Sequence, residues 1–343
     1  MTDTTWWHHA RHADRRPLLI ARNRIQRAIR DWLDAEGFTE VDPAAMAVSP
    51  GNEAHLHAFA TVSTDDAGRS VVRYLHTSPE FAMKKLLAAG ETRIAAFAHV
   101  WRNREGGPRH AAEFTMLEWY RAHQDYTVLM DDTAQMLRIA ATQAGAAQLR
   151  HAGAECDPFQ PYDRLSVAEA FARFAGIDLL ATIRPDGAPD REALAARMGA
   201  LRVAPDDTWS DLFSRVLVAR VEPHLGHGRI TVLDRYPAAE AALARRCPDD
   251  PRLSERFEVY ACGVELANGF GELTDAAEQR RRFEAEMDEK ARLYGERYPL
   301  DEDLLAALPL MPPTAGIALG FDRLVMLATA TPRLSDVQWA PAP

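Results

Sequence analysis

Cysteine is scarce: three residues in 343, Cys156, Cys247 and Cys262, an odd number without CxxC spacing. That excludes a disulfide framework and gives no zinc pattern, and it fits a reducing, cytoplasmic compartment. Long apolar runs are missing too. No stretch approaches the roughly 20 residues of a membrane span, and the opening MTDTTWWHHARHADRR lacks the apolar run of a signal peptide, so no membrane partner is expected. Positive charge is not in excess: 50 acidic against 40 basic side chains give a formal charge of −10. This argues against a broad electrostatic footprint for DNA or RNA, although acidic proteins do bind tRNA. GIALGFDR does not fit GxGxxG, which leaves the dinucleotide reading little support.

What is present is a chain with 47% hydrophobic and 26% charged residues, enough for a large core in one elaborated domain. Residues 1–17 read as a tail; its His8, His9 and His12 admit a metal-binding reading, but solvated side chains are the commoner fate. From Leu18 to Ala35 the apolar residues Ile25, Ile29, Trp32 and Leu33 fall on one helical stripe, and Gly37 stops it. FTEVDPAAM reads as a short strand whose Pro43 suits an edge or an end. HAFATVS and SVVRYLHTS read as strands around a turn, and FAMKKLLAAG as a helix. TRIAAFAHVW, EFTMLEWYRA, RITVLDRYP and ERFEVYACGVELANGF are further strands. YTVLMDDTAQMLRIAATQAG, DLFSRVLVARVEPHLG and EQRRRFEAEMDEKARLYG are further helices. Ser166 and Glu169 form a capping-box pattern, and residues 178–207 read as a helical insertion. Adjacent extended runs outnumber strand–helix alternation, so the fold class is α+β, an antiparallel sheet flanked by helices.

Strand alternation places Phe114, Met116, Glu118 and Tyr120 on one face. An acid there is expensive to bury unless a cation, such as an amine, pairs with it; the alternative is a surface strand with Glu118 in water. Cys262-Gly263 makes a two-residue hairpin turn, although only Gly is favoured in such a turn. The hairpin sets Tyr260 opposite Glu265, with Glu258 on the face of Tyr260. Two carboxylates so placed point to a divalent cation, Mg²⁺ bridging to phosphates, or else to two solvated acids. Strict alternation puts Asn268, Phe270 and Glu272 on the face opposite Glu265 unless a bulge intervenes. Arg102, Arg104 and Arg109 surround a Gly-Gly-Pro turn, either a triphosphate clamp or a solvated basic loop. Arg323 lies at the start of the last helix, which Asp322 is placed to cap.

Five blocks in order carry a resemblance: GFTEVDPAAM, HTSPEFAMKKLLAAG, VWRNREGGPRHAAEFTMLEWYR, ERFEVYACGVELANGFGELTDA and GIALGFDRLVMLA. Together they resemble the catalytic domain of class II lysyl-tRNA synthetases, most closely the shortened paralogues that attach lysine to elongation factor P, over roughly Leu18 to Ala330. The first, third and fifth blocks resemble motifs 1, 2 and 3 of class II synthetases. The resemblance implies a class II synthetase-like domain over 18–343 with no anticodon-binding domain, ATP and Mg²⁺ as cofactors, and a homodimer built on motif 1 around Pro43. It implies that Arg102 and Arg323 are catalytic. ATP would be bound by Arg102, Asn103, Arg104, Glu105, His110, Phe114, Glu265, Leu266, Gly320 and Arg323, with Phe114 stacked on adenine and Arg323 on its other face. Glu258 and Glu265 match the Mg²⁺-binding acids. Ser78, Glu80, Arg102, Glu118, Tyr120, Asn268, Phe270, Glu272 and Ala318 match the substrate site. Within it Glu118, Tyr120 and Glu272 hold the side-chain ammonium, Glu80 receives the other amino group and Asn268 helps with the carboxylate.

The implied reaction activates a lysine-type amino acid, (R)-β-lysine, as an adenylate and transfers it to a lysine of elongation factor P, without tRNA. The alternatives are a truncated synthetase that charges tRNA, or a non-catalytic module on the same fold. Four departures matter. Ala111 stands where close relatives have Asn. Arg104 stands where the motif 2 signature has Glu, so that either Glu105 substitutes through a loop adjustment or a nucleotide contact is lost. Ser78 and Ala318 stand where lysyl-tRNA synthetases have Ala and Gly, adding a hydroxyl and a methyl to the pocket wall.

Overall fold

A computed structural model describes residues 5–342. The first helix, α1 (His9–Ala35), buries Leu19, Ile25, Ile29 and Leu33 on one side and ends at Gly37, whose φ of +78° turns the chain. It starts at His9 rather than after Pro17, so the expected tail over 1–17 is corrected for residues 9–17. Pro17 removes one helical hydrogen bond, but Arg15 is buried and donates to the carbonyls of Ser335 (3.0 Å) and Gln338, which holds the extra turns in place.

The strands are β1 (Thr39–Glu40), β2 (Met46–Ala47), β3 (Phe59–Thr64), β4 (Ser70–Leu75), β5 (Arg93–Trp101), β6 (Glu113–Ala122), β7 (Leu149–His151), β8 (Ala154–Asp157), β9 (Asp163–Ser166), β10 (Gly228–Arg229), β11 (Thr231–Asp234), β12 (Arg256–Ala261), β13 (Val264–Gly271) and β14 (Thr314–Gly320). Eight form the main sheet in the order β1-β5-β6-β14-β13-β12-β11-β9. Its pairings are antiparallel except at the two ends, β1 with β5 and β11 with β9. Strand β1 ends before Pro43 and sits at the sheet edge, where a missing N–H is tolerated.

Alternation along β6 decides what lies on each side of this sheet. Leu117 and Trp119 point into the main core with α1, α3 (Val128–Ala144) and α9 (Phe321–Ala328). Met116, Glu118 and Tyr120 point to the other face, toward α2 (Glu80–Ala88) and the later helices α7 (Ala276–Tyr294) and α8 (Glu302–Ala307), which pack together through Met83, Leu87, Phe283, Leu304 and Leu305. A further cluster forms around α4 (Val167–Ala170), capped by the Ser166–Glu169 box, and α6 (Trp209–Val216). Residues 178–207 join that cluster with little helix: a 3₁₀ turn at Leu180–Thr182 and α5 (Arg191–Ala195). Pro185, Gly187 (φ +86°) and Pro189 break the helical tendency expected there.

Candidate active site

The open face of the sheet carries a cleft of about 170 Å³. Its floor is β6, β13 and β14, and its walls are the 49–58 loop, the start of α2, the 102–111 loop and the start of α9.

A one-residue irregularity puts the two ends of the cleft on one strand. In the β12–β13 ladder Val259 pairs with Ala267 but Tyr260 with Glu265, so Leu266 is an extra residue on β13. This β-bulge rotates Glu265 onto the face of Asn268, Phe270 and Glu272, and all four line the cleft. The Cys262-Gly263 turn has φ of +55° and +69°, the left-handed pair of a type I′ hairpin, with a non-glycine residue at its first position.

At the amine end three carboxylates converge. Glu118 is 1% exposed; Ser78 donates to Oε1 at 2.5 Å and Tyr120 to Oε2 at 3.0 Å. Burial and then Glu80 push its carboxyl up to about 8, against the two hydroxyl bonds, which act the other way. Glu80 and Glu272 share the ammonium of Lys84, at 2.5 and 2.7 Å. Burial and Glu80 raise the Glu272 carboxyl against the pull of Lys84. Burial lowers the lysine, but Glu272 and Glu80 outweigh it and hold it above the ordinary range. Ala318 pairs with Glu118 on one side and Asn268 on the other, which sets its methyl between them. At Gly316 a Cβ would collide with Tyr120 and Glu272, so only glycine keeps this floor open.

At the other end Phe114, Arg102, Glu105, His110, Glu265, Leu266, Gly320 and Arg323 line the cleft. The Arg102 guanidinium lies 5.5 Å from the centre of the Phe114 ring, and its Nε donates to the Thr77 carbonyl at 3.3 Å. Arg323 donates to the carbonyls of Glu265 (3.1 Å) and Arg109 (3.3 Å) and meets His110 Nδ1 at 3.3 Å. Arg104 takes a left-handed φ of +64°, with its N–H on the Asn103 side chain at 2.8 Å. The reversal sends its guanidinium outward to Glu296 and turns Glu105 inward to pair with His110 at 2.9 Å. Asn103 and Arg104 line an outer crevice with His57 and Tyr298, while Glu105 lines the cleft itself.

Glu258 does not line the cleft. Arg256 donates to its Oε1 and Tyr260 to its Oε2, both at 2.6 Å. Glu265 is the acid whose carboxylate is partly open to the cleft, with Arg323 4.0 Å away; desolvation and the charge of Glu258 push it up, with Arg323, Arg256 and Arg102 pulling the other way. The donor set suits a cation that takes one or two carboxylates and completes its shell with phosphate oxygens and water, as Mg²⁺ does. Among the described residues no three His, Cys, Asp or Glu are grouped to cage a metal by themselves. Asp322 does not cap α9. It is 1% exposed and bound by Arg22, Gln338 (2.8 Å) and the Thr115 N–H (3.2 Å).

Three residues of this region are absent from the expected set. Lys84 was signalled by a cation on the buried stripe of α2 between Met83 and Leu87. Arg256 was signalled by its place two and four residues before Glu258 and Tyr260 on β12, and it also donates to Asn268 at 3.3 Å. Glu53, which lines the cleft from a polar loop, had no signal.

No described helix is long and apolar enough to cross a membrane. Residues 3–342 match the family described as tRNA synthetases class II (D, K and N). The elongation factor P–(R)-β-lysine ligase of Edwardsiella ictaluri is 40% identical over 322 residues, 93% of each chain. Those of Pectobacterium carotovorum (38%) and Erwinia tasmaniensis (39%) match over 340 residues, 98% of each chain. The chain belongs to the class II tRNA synthetases of the D, K and N type, and within them it groups with elongation factor P–(R)-β-lysine ligases.

Proposed function

We propose that this chain is an ATP-dependent ligase that activates (R)-β-lysine as its adenylate and transfers it to a lysine side chain of elongation factor P. The observation that carries this reading is the polarity of the cleft: Glu80, Glu118 and Glu272 at one end, and Arg102, Arg323 and Glu265 at the other. A molecule with two ammonium groups and one carboxylate fits between them, with its carboxylate toward Arg102.

The substrate carboxylate attacks the α-phosphorus of ATP; the new C–O–P bond forms as the bond to the β-phosphate oxygen breaks and pyrophosphate leaves. Arg102 and Arg323 neutralise the charge that develops on the phosphate oxygens, and Phe114 supplies a flat face for adenine. Glu265, with Glu258 behind it, would hold Mg²⁺, which when bound would add to the neutralisation of the phosphates. Arg256 and Tyr260 orient Glu258, and Glu105 fixes His110 beside Arg323. The acceptor amine then attacks the mixed anhydride, an amide bond forms and AMP departs. No side chain serves as a nucleophile; the chain positions and stabilises.

The Ser78 hydroxyl, bound to Glu118, and the Ala318 methyl, set between Glu118 and Asn268, reshape the wall where the amine lies. A preference for (R)-β-lysine over L-α-lysine of about 1–3 kcal/mol per change is expected in adenylation kcat/KM. The Ser78→Ala/Ala318→Gly variant should shrink or reverse it. The whole reading is tested by incubating the protein with ATP, labelled lysine isomers, elongation factor P and bulk tRNA. Label on the factor supports it; label on tRNA alone overturns it. Pairing into a homodimer through the motif 1 segment belongs to the same proposal, and light scattering at micromolar concentration should give about twice 38.2 kDa.

A further inference from the structure

Lys84 lies on the core-facing side of α2 and is 1% exposed. A lysine buried to that degree is rare, because removing an ammonium from water is costly unless it is paired. Lys84 is paired twice, with Glu80 one turn back on its own helix (2.5 Å) and with Glu272 just beyond β13 (2.7 Å). These are two of the three acids at the amine end of the cleft, and the third, Glu118, is held by hydroxyls alone. The other titratable or charged groups that bear on this cluster are Tyr120 on β6, Arg245 behind Glu272 and Glu53 across the cleft. The neighbouring Lys85 faces away, on Asp301 at 2.7 Å.

We infer that Lys84 is a resident counter-ion that sets the charge of the amine pocket, and so selects amino acids carrying two ammonium groups. Once the incoming ammonium groups have displaced the protons, three carboxylates with one fixed lysine carry two negative charges, the number that a diamino acid neutralises when its carboxylate is held by Arg102. An amino acid with a neutral side chain leaves one charge bare in a buried site, and a site with an unpaired buried charge discriminates strongly. Lys84 is a positioning residue in this account: it ties Glu80 to Glu272 and need not touch the substrate. The inference rests on the lysine-type substrate proposed above.

Lys84→Met keeps the length of the side chain and removes its charge. The acids it leaves then hold an extra proton near neutral pH, which the incoming ammonium must displace. In lysine-dependent ATP–pyrophosphate exchange, kcat should stay within about threefold of the parent while KM for the lysine isomer rises about 30-fold at pH 7, equivalent to about 1.5 pKa units. The KM ratio of variant to parent should fall below about threefold by pH 9, as the extra proton leaves. A packing defect would not be repaired by alkali. A KM ratio that does not change with pH overturns the inference. Should Lys84→Met not fold, calorimetry of lysine binding to the parent in buffers of different ionisation heat decides it. Release of fewer than two protons at pH 7, from Glu118 and in part from Glu272, supports the lysine as counter-ion, and release of two or more overturns it. Failure of the substrate reading is separate: the parent itself would then show no exchange with any lysine isomer.

Discussion

Glu118 shows what a single residue costs the fold and returns to the site. An unfolded glutamate loses its proton near pH 4.3, whereas burial and Glu80 hold this one until about 8. Between those values the native state binds the extra proton, so stability falls as pH rises through the window and the penalty is absent below it. Glu118→Gln keeps the shape and removes the titration. We expect its Tm at about pH 8 to exceed the parent's by a few degrees, the difference vanishing below about pH 4, while lysine-dependent exchange falls at least about 100-fold. Thermal scans at the two pH values check the first half. A parent-like exchange rate would count against the role of Glu118. The same proton predicts that KM for the amino acid falls from pH 7 toward 9 in the parent, because the ionised acid is the form that receives an ammonium. Replacing Glu265 with Gln should lower exchange by orders of magnitude without loss of fold, since it removes the acid that faces the phosphates. Near-normal exchange there would remove the metal assignment. Glu118 was legible in the sequence as an acid on an otherwise apolar strand face. Lys84 was not read, because a lysine at helical spacing is usually a solvated one.

Two local backbone irregularities align the site, and they mark the limit of reading by period. Alternation correctly put Tyr260 opposite Glu265 and Glu118 with Tyr120, because each rests on a regular ladder. It left the phase between Glu265 and Asn268 open, since the extra residue at Leu266 is fixed by how β13 pairs with β12 and not by its own side chain. Arg104 is similar. Its left-handed φ of +64° turns Glu105 inward, and nothing in RNREGG announces which residue will take the turn. A left-handed arginine costs about 1 kcal/mol, and its exposed pair with Glu296 returns no more than about that. Arg104→Gly should therefore leave stability and exchange near the parent's, whereas Arg104→Pro, which cannot adopt positive φ, should raise KM for ATP by at least about tenfold. Equal kinetics for the two variants would separate Glu105 from nucleotide binding. The tail expected over residues 1–17 failed for a comparable reason: Pro17 reads as a boundary, but contacts more than 300 residues away hold the helix before it.

Across the whole molecule, the adjacent extended runs were enough to indicate the α+β class, because pairs such as β5 with β6 and β12 with β13 fold as neighbouring antiparallel strands of one sheet. What they did not indicate is how the chain closes. Arg22 of α1 and Asp322 of α9, 300 residues apart, form a buried pair that also engages Thr115 and Gln338. Asp322→Ala leaves Arg22 buried without its partner and should destabilise the protein by about 3–5 kcal/mol in urea unfolding, whatever its effect on catalysis. The place of β14 between β6 and β13 has a consequence of another kind. Residues 314–320 are the seam between two half-sheets, and they come near the end of the chain. A ribosome working at about 5–20 residues per second spends ten seconds or more extruding both halves before the seam exists, each with an unpaired inner edge open to other nascent strands. The newborn chain is thus an expected client of chaperones until residues 314–320 emerge, and only then is the floor of the cleft complete.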